Sequence, residues 1–516
     1  MAELVGTFAL AQDNAFGQPL ESQLRSCLLS SWLAQETGVD ADVRDDTYWV
    51  ALLRYLGCTG HAHEVATLFG DEIAIRAQTL VHDAGNPAEV MRDVVAYATA
   101  GRSPEEREQI ERSIAEGAHE WAVHNFSSGC EVGDMLARRL DVGAGVREAL
   151  AFTFERWSGT GFPDHVGGTD IPLAMRLVHV GHDMEAIGRL SSPAEAVERC
   201  RDRRDRTYDP ELADVFVENG ADWFERLAKL DPWDAVLELE PAPHRIFTGD
   251  DLDDALLILA DFVDLKSPYM NGHSRRCADL AAEAATGLGL ADEAVVTIRR
   301  AALVHDLGTT AVPNSIWDKP GPLTRSEFDR VELHTMLTEQ MLRRSPALAE
   351  LNPVAASHHE KADGSGYHRG TVAGGSGAGA GVMAAADVFV ALTTERADRP
   401  AFSVDQAADE LRRLVSEGVL DRATTDAVLA ASGQTATAVT ERRSVFPGRL
   451  TGREVEVLRE AAKGLTTKEI AERLFIAPKT ADAHIQHVYA KIGVSSRAAA
   501  ALWAMQNGVM SGISAR

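Results

Sequence analysis

Residues 286–308 read TGLGLADEAVVTIRRAALVHDLG, and the fold is decided here. From Ala294 to Leu307 apolar residues recur at i, i+3, i+4 and i+7, the period of a helix with one buried face, and Gly308 ends the run. Arg275–Leu288 and Val404–Gly418 repeat the pattern, in the latter through Val404, Ala407, Ala408, Leu411, Leu414 and Val415. Period-2 alternation is scarce, and Gly and Pro mostly separate helical blocks, so the spacing predicts an all-α protein. Residues 37–57, TGVDADVRDDTYWVALLRYLG, parallel 286–308, and 155–185 parallel 360–389. Two related helical domains in tandem are expected, 1–240 and 245–433, dividing near Glu240–Phe247.

The 516 residues are 45% apolar, too many for disorder, and carry 51 basic against 78 acidic side chains, a net of −27. Taken whole, that charge argues against a nucleic-acid or anionic-membrane binder. It is unevenly distributed. From Gly448 onward four Lys and six Arg face five Glu and one Asp, a net of +4, which leaves −31 on the rest. Ala431–Gly448 is small, polar and aperiodic, and 434–448 is read as a linker. Five cysteines without a CxxC pair, an acidic N-terminal MAELVGTFALAQDN and the lack of a long apolar run point to a cytoplasmic protein with no membrane partner.

In the second repeat His273, His305-Asp306, His334, His358-His359 and Asp387 gather imidazoles and carboxylates, the donors of Fe, Mn or Zn. Adjacent helical residues point about 100° apart, so such doublets can straddle two ions with Asp306 between them. Two ions a few Å apart activate water and clamp a phosphate. One histidine alone is ordinarily a plain core or surface residue; two doublets with three single donors in apolar helical segments are not.

The segments GHSRRCADLA, ALVHDLG, VPNSIWDKPGPLT, ELHTMLTEQML, HHEKADGSGY and ADVFVALTTER resemble, in order, the HD-GYP subgroup of HD-domain metal-dependent phosphohydrolases over roughly Asp250–Gly433. The resemblance implies an all-α fold with a bi- or trinuclear site that hydrolyses cyclic dinucleotides. It carries the ligand role to His273, His305, Asp306, His334, His358, His359 and Asp387. Asp306 and Lys319, the latter in the family's KPG segment, would serve catalysis. A binuclear divalent centre is expected, iron or manganese ahead of zinc. Three departures bear on the substrate: Thr309 stands where the family has lysine, GYP has become Gly366-Tyr367-His368, and the glycine-rich 373–381 leaves Gly381 in place of an arginine. The metal cage is complete while the substrate cradle is eroded. In the first repeat Arg54-Tyr55 align with His305-Asp306, Thr153-Phe154 with His358-His359, and His182 with Asp387. His82-Asp83 is taken as a decoy, and Cys58, His61 and His63 as a helix-end loop. That half reads as a non-catalytic sensing or dimerising domain.

From Leu450 the caps and periods give four short helices. Thr451 with Glu454 forms a capping box, Thr466 or Thr467 opens the second helix, Pro478 the third, and Ser495 or Ser496 the fourth. Two helices joined by Phe475–Ala477 make a helix-turn-helix whose second member enters the major groove. It offers Lys479, Thr480, Asp482, Ala483, His484, Gln486, His487 and Lys491, with Lys468 and Arg497 as flanking phosphate anchors. LTGREVEVL, GLTTKEIAERLFIAPKT and KIGVSSR resemble the LuxR-type helix-turn-helix, which places a DNA-binding domain at 449–516 and implies a homodimer on double-stranded DNA. The expected DNA contacts are Lys468, Lys479, Thr480, His484, His487, Lys491 and Arg497. The whole reads as a transcriptional regulator whose HD module senses a cyclic dinucleotide or other phosphorylated small molecule, or keeps some hydrolysis. The alternative is a working cyclic-dinucleotide phosphodiesterase with a DNA-binding tail for localisation or autoregulation.

Overall fold

The computed structural model describes residues 1–371, 377–434 and 446–510. Among these the protein is helical throughout, with two isolated bridges, Arg204–Tyr208 and Arg396–Arg399, and no strand. The chain divides into Met1–Phe247 and Thr248–Arg516, so the DNA-binding helices share a unit with the second repeat. The expected linker lies for the most part outside the described residues, as do 373–376 of the glycine-rich stretch. Gly377–Gly381 begin the helix Gly377–Leu392. No helix among the described residues is long and apolar enough to cross a membrane.

The same local contacts recur in both units. Asp264 Oδ2 accepts the Ser274 backbone N–H at 3.0 Å, and Asp13 Oδ1 accepts that of Gln23 at 2.9 Å. Glu360 accepts the N–H groups of Arg369 and Thr371, each at 2.7 Å, and Glu155 those of Asp164 and Val166 at 2.8 and 3.0 Å. A Cβ on Gly308 would lie 1.9 Å from the His334 carbonyl oxygen, and one on Gly57 would lie 1.8 Å from that of Gly129. These pairs superimpose the repeats and place Ser22 opposite His273 and Gly129 opposite His334. His182 follows Glu155 by the same interval as Asp387 follows Glu360.

Within Thr248–Arg516 the core is built by His273–Gly287 against Asp292–Val304 and Gly377–Leu392. Buried Cys277, Ala278, Ala281, Ile298, Ala301, Ala302, Met383 and Phe389 fill it. Small residues at these crossings let the helices approach closely, which draws the donors at their ends together.

Candidate metal centre and DNA-binding face

Each donor is fixed by backbone chemistry. Gly272 adopts φ +73°, a left-handed turn that suits glycine, and so starts the helix carrying His273. His305 caps the end of Asp292–Val304, after which the chain tightens into the 3-10 turn Leu307–Ala311. Thr338 locks that turn: its hydroxyl donates to the His305 carbonyl and accepts the Gly308 N–H, both at 2.9 Å. The absent side chain of Gly308 lets this turn lie against the His334 backbone.

All seven expected donors converge. His273, His305, His334 and His358 are buried, as are Asp306 and Asp387; His359 is partly so. The two oxygens of Asp306 face opposite groups. Oδ2 lies 3.6 Å from His273 Nε2 and 3.3 Å from His305 Nε2, while Oδ1 lies 3.6 Å from Nε2 of both His334 and His358. Asp387 Oδ1 stands 3.0 Å from His273 Nε2. His273, Cys277, His305 and Asp387 offer ligand atoms within 4.8 Å of one another, and so do His334, His358 and His359. Cys277 was missed in the sequence; its signal is the one-turn spacing from His273, whose Nε2 is 3.6 Å from the thiol sulfur.

The donor chemistry fits a cation. Nδ1 of His305, His334 and His358 lies 2.7, 2.6 and 2.7 Å from the carbonyls of Ala302, Val331 and Ala355. A carbonyl only accepts, so Nδ1 donates and, in the neutral ring that a metal ion requires, each Nε2 is left as a lone pair. Nε2 of His305 makes no hydrogen bond, and those of His334 and His358 face each other at 3.1 Å. Lone pairs and two carboxylates thus converge on one place, an arrangement that a divalent ion satisfies. Burial holds His334 down to about 4, helped by His358, and also depresses His273 and His359. At His305 burial is outweighed by Asp306 and Asp387, which push it up to about 9. The site draws positive charge.

The positions expected to face substrate are otherwise engaged. Thr309 is buried and its hydroxyl donates to the Asp306 carbonyl at 2.7 Å. Lys319 follows Trp317, whose ring stands 6.0 Å from that of His334, but its ammonium donates to both Glu327 oxygens at 2.9 and 2.7 Å. A Cβ on Gly381 would already be 3.1 Å from Thr424. His368 links Thr335 and Glu339, each at 3.0 Å, tying its loop to the His334 helix, and Tyr367 packs 4.8 Å from His359. In the first unit His82 pairs with Asp93 at 3.2 Å, while Asp83 accepts from Arg206, Thr207 and the Gly85 N–H, an internal clamp. Among the described residues no group of metal-type donors includes Cys58, His61 or His63.

The last four helices are Gly452–Ala462, Thr467–Arg473, Pro478–Ile492 and Arg497–Gln506. Thr451 with Glu454 and Thr466 with Glu469 form capping boxes, and Ser496 caps the fourth helix. On Pro478–Ile492, Ala481 and Val488 point inward, while Lys479, Thr480, Gln486, His487 and Lys491 are exposed and His484 is half-buried. Lys468 is exposed on the preceding helix. Two expected phosphate contacts are held inside the domain: Lys491 donates to Glu454 at 2.7 and 2.6 Å, and Arg497 to the Gly464 carbonyl at 2.7 Å. The domain rests on the turn that leads into His273. Asn271 Nδ2 donates to the Ala462 carbonyl at 2.6 Å, Gly272 N–H to the Met505 sulfur at 3.0 Å, and Arg473 makes two bonds to Glu395 at 3.0 and 2.8 Å.

Residues 258–424 match the HD domain family, and 449–504 the bacterial regulatory proteins of the luxR family. A 3'3'-cGAMP-specific phosphodiesterase 3 of Vibrio cholerae serotype O1 is 30% identical over 419 residues, 79% of this chain and 89% of its own. A cyclic di-GMP phosphodiesterase of Thermotoga maritima is 31% identical over 182 residues, 34% of this chain and 49% of its own. The crystal structure of a cyclic GMP-AMP specific phosphodiesterase from V. cholerae aligns with TM-score 0.59 and 26% identity, covering 84% of this chain and 98% of that one. The chain belongs to the family of HD-domain phosphodiesterases, and it carries a luxR-type DNA-binding domain at its C-terminal end.

Proposed function

We propose that this protein is a transcriptional regulator, active as a homodimer on double-stranded DNA, whose HD module holds two divalent cations and binds a cyclic dinucleotide. The observation that carries the reading is the two-sided Asp306 carboxylate inside seven converging donors, in the same unit as a DNA-binding domain that rests on the turn before His273. His273, His305 and Asp387 would hold one ion, His334, His358 and His359 the other, with Asp306 shared; iron or manganese suits this nitrogen and oxygen set ahead of zinc. Bound there, such ions neutralise phosphoryl charge and lower the pKa of water. The chain's own residues add little cationic charge around them, because Thr309 is neutral and Lys319 is spent on Glu327. Ligand binding with slow turnover is therefore the expected behaviour. The complete donor set favours a second reading, a working phosphodiesterase whose DNA-binding tail serves localisation or autoregulation. Metal analysis of anaerobically purified protein, with assays on 3'3'-cGAMP and cyclic di-GMP, separates the two. Bound metal with turnover near background supports the regulator; rapid turnover supports the enzyme; absence of metal defeats both.

On the DNA side, Lys479→Ala is expected to weaken binding to all sequences and to reduce the salt slope by about 1. Titration of operator and random DNA at several salt concentrations checks this; an unchanged slope would remove Lys479 from the interface. Lys491 is a poorer probe, since its loss also strips Glu454 of a partner. Glu395→Ala removes both Arg473 bonds without touching a metal donor. Its DNA affinity should no longer respond to added cyclic dinucleotide while the wild type's does. A variant that responds like the wild type would exclude this contact as the coupling element.

A further inference from the structure

The first unit keeps a hole where the second holds its donor cluster. A cavity of about 10 Å3 is lined by Arg54, Gly57, Cys58, Gly129, Thr153 and Phe154. These positions correspond, contact for contact, to His305, Gly308, Thr309, His334, His358 and His359. The imidazole of His334 has become the bare backbone of Gly129, against which the His61 ring packs, 3.2 Å from where a Cβ would stand, and a metal-binding imidazole has become the guanidinium of Arg54.

That guanidinium is buried, and its Nε and Nη1 make no hydrogen bond. Behind it Arg156 is also buried, with Nη1 donating to the Thr153 and Glu155 carbonyls at 3.2 and 2.7 Å and Nε without a partner. Among the described residues neither arginine forms an ion pair. The carboxylate that shares their surroundings, Asp183, is committed to His182 Nδ1 at 3.0 Å and the Tyr208 hydroxyl at 3.1 Å. His182 and His179 are held neutral by burial and by the neighbouring arginines. Two cations thus face one anion in a dry interior. An unpaired buried guanidinium costs several kcal/mol or more, and a water molecule in the void would satisfy a donor without neutralising the charge.

We propose that this void binds a single monatomic anion of the halide class, chloride in the cell, so that a site which captures cations in the second unit captures an anion in the first. About 10 Å3 admits one water-sized occupant and excludes phosphate or a nucleotide. The anion takes an N–H bond from Arg54 and balances the Arg54–Arg156–Asp183 cluster. The first unit is then stabilised by chloride and has no place for the metals of its twin.

The test uses the full chain at matched ionic strength in sodium chloride, sodium bromide and sodium gluconate, whose anion is too large for the void. The thermal midpoint should be higher in the halides, by roughly 5 °C when halide is about 100-fold above its Kd, and should climb with the logarithm of halide concentration. Arg54→Met should abolish the difference. Crystals soaked in bromide should show an anomalous peak in the void beside the Arg54 guanidinium. Equal midpoints in chloride and gluconate, or a halide effect undiminished in Arg54→Met, would overturn the proposal. If that variant does not fold, the wild-type bromide map decides: a peak at Arg54 supports the site, and its absence rejects it.

Discussion

Asp306→Ala is expected to empty the metal centre. This carboxylate faces both halves of the cluster, Oδ2 toward His273 and His305, Oδ1 toward His334 and His358. Its removal leaves Asp387 as the sole remaining anion of the seven donors and separates the two imidazole groups. Metal affinity should fall by more than about 100-fold, beyond what losing an outer-shell partner costs. Any hydrolysis of a cyclic dinucleotide should vanish with it. Asp306→Asn is the control for shape, since it retains the volume and one acceptor oxygen while losing the charge. Elemental analysis of the anaerobically purified variants, beside circular dichroism to show that they fold, gives the answer. Stoichiometric metal in both variants would refute the assignment of Asp306 as the shared donor.

Gly308→Ala should produce the largest loss of stability. The added carbon would sit 1.9 Å from the His334 carbonyl oxygen and 2.7 Å from its carbonyl carbon, both backbone atoms that no rotamer change can move. The 3-10 turn after His305 must then part from the Arg325–Arg344 helix, breaking both Thr338 bonds and displacing His334. A destabilisation above about 4 kcal/mol is expected, in the range reserved for severe core disruption. Gly289→Ala supplies the contrast: it has φ +73° but open space around it, so it should cost only about 1 kcal/mol of backbone strain. Urea unfolding of the two variants checks the pair. A Gly308→Ala protein as stable as Gly289→Ala would show that the close approach is not required.

Much of the centre was legible in the chain because its donors sit at helix ends and in doublets whose spacing carries meaning. The seven residues read from 273 to 387 all come together, with Cys277 beside them. The helix-turn-helix was equally readable, since Thr451, Glu454, Thr466, Pro478 and Ser496 act on atoms within a turn of themselves. Cys277 escaped because a lone cysteine one turn from a histidine is ordinary until the facing helix brings Asp387 beside it. Lys319, Lys491 and Arg497 were read as available charge; Glu327, Glu454 and the Gly464 carbonyl, brought near by local folding, take them up.

The first repeat makes the division clearest. Alignment alone set Arg54-Tyr55, Thr153-Phe154 and His182 against the donors of the second repeat, so the loss of metal ligands was written in the order of residues. That Gly129 replaces His334, that Arg54 is buried with two idle N–H groups, and that a cavity remains beside it are facts of packing. Sequence by itself determined the helices, their caps and the donor list, because those depend on neighbours along the chain. Tertiary structure decided which charges stay available, which carboxylate is shared and where a hole survives, because each depends on groups brought together from distant segments whose burial removes the water that would otherwise satisfy them.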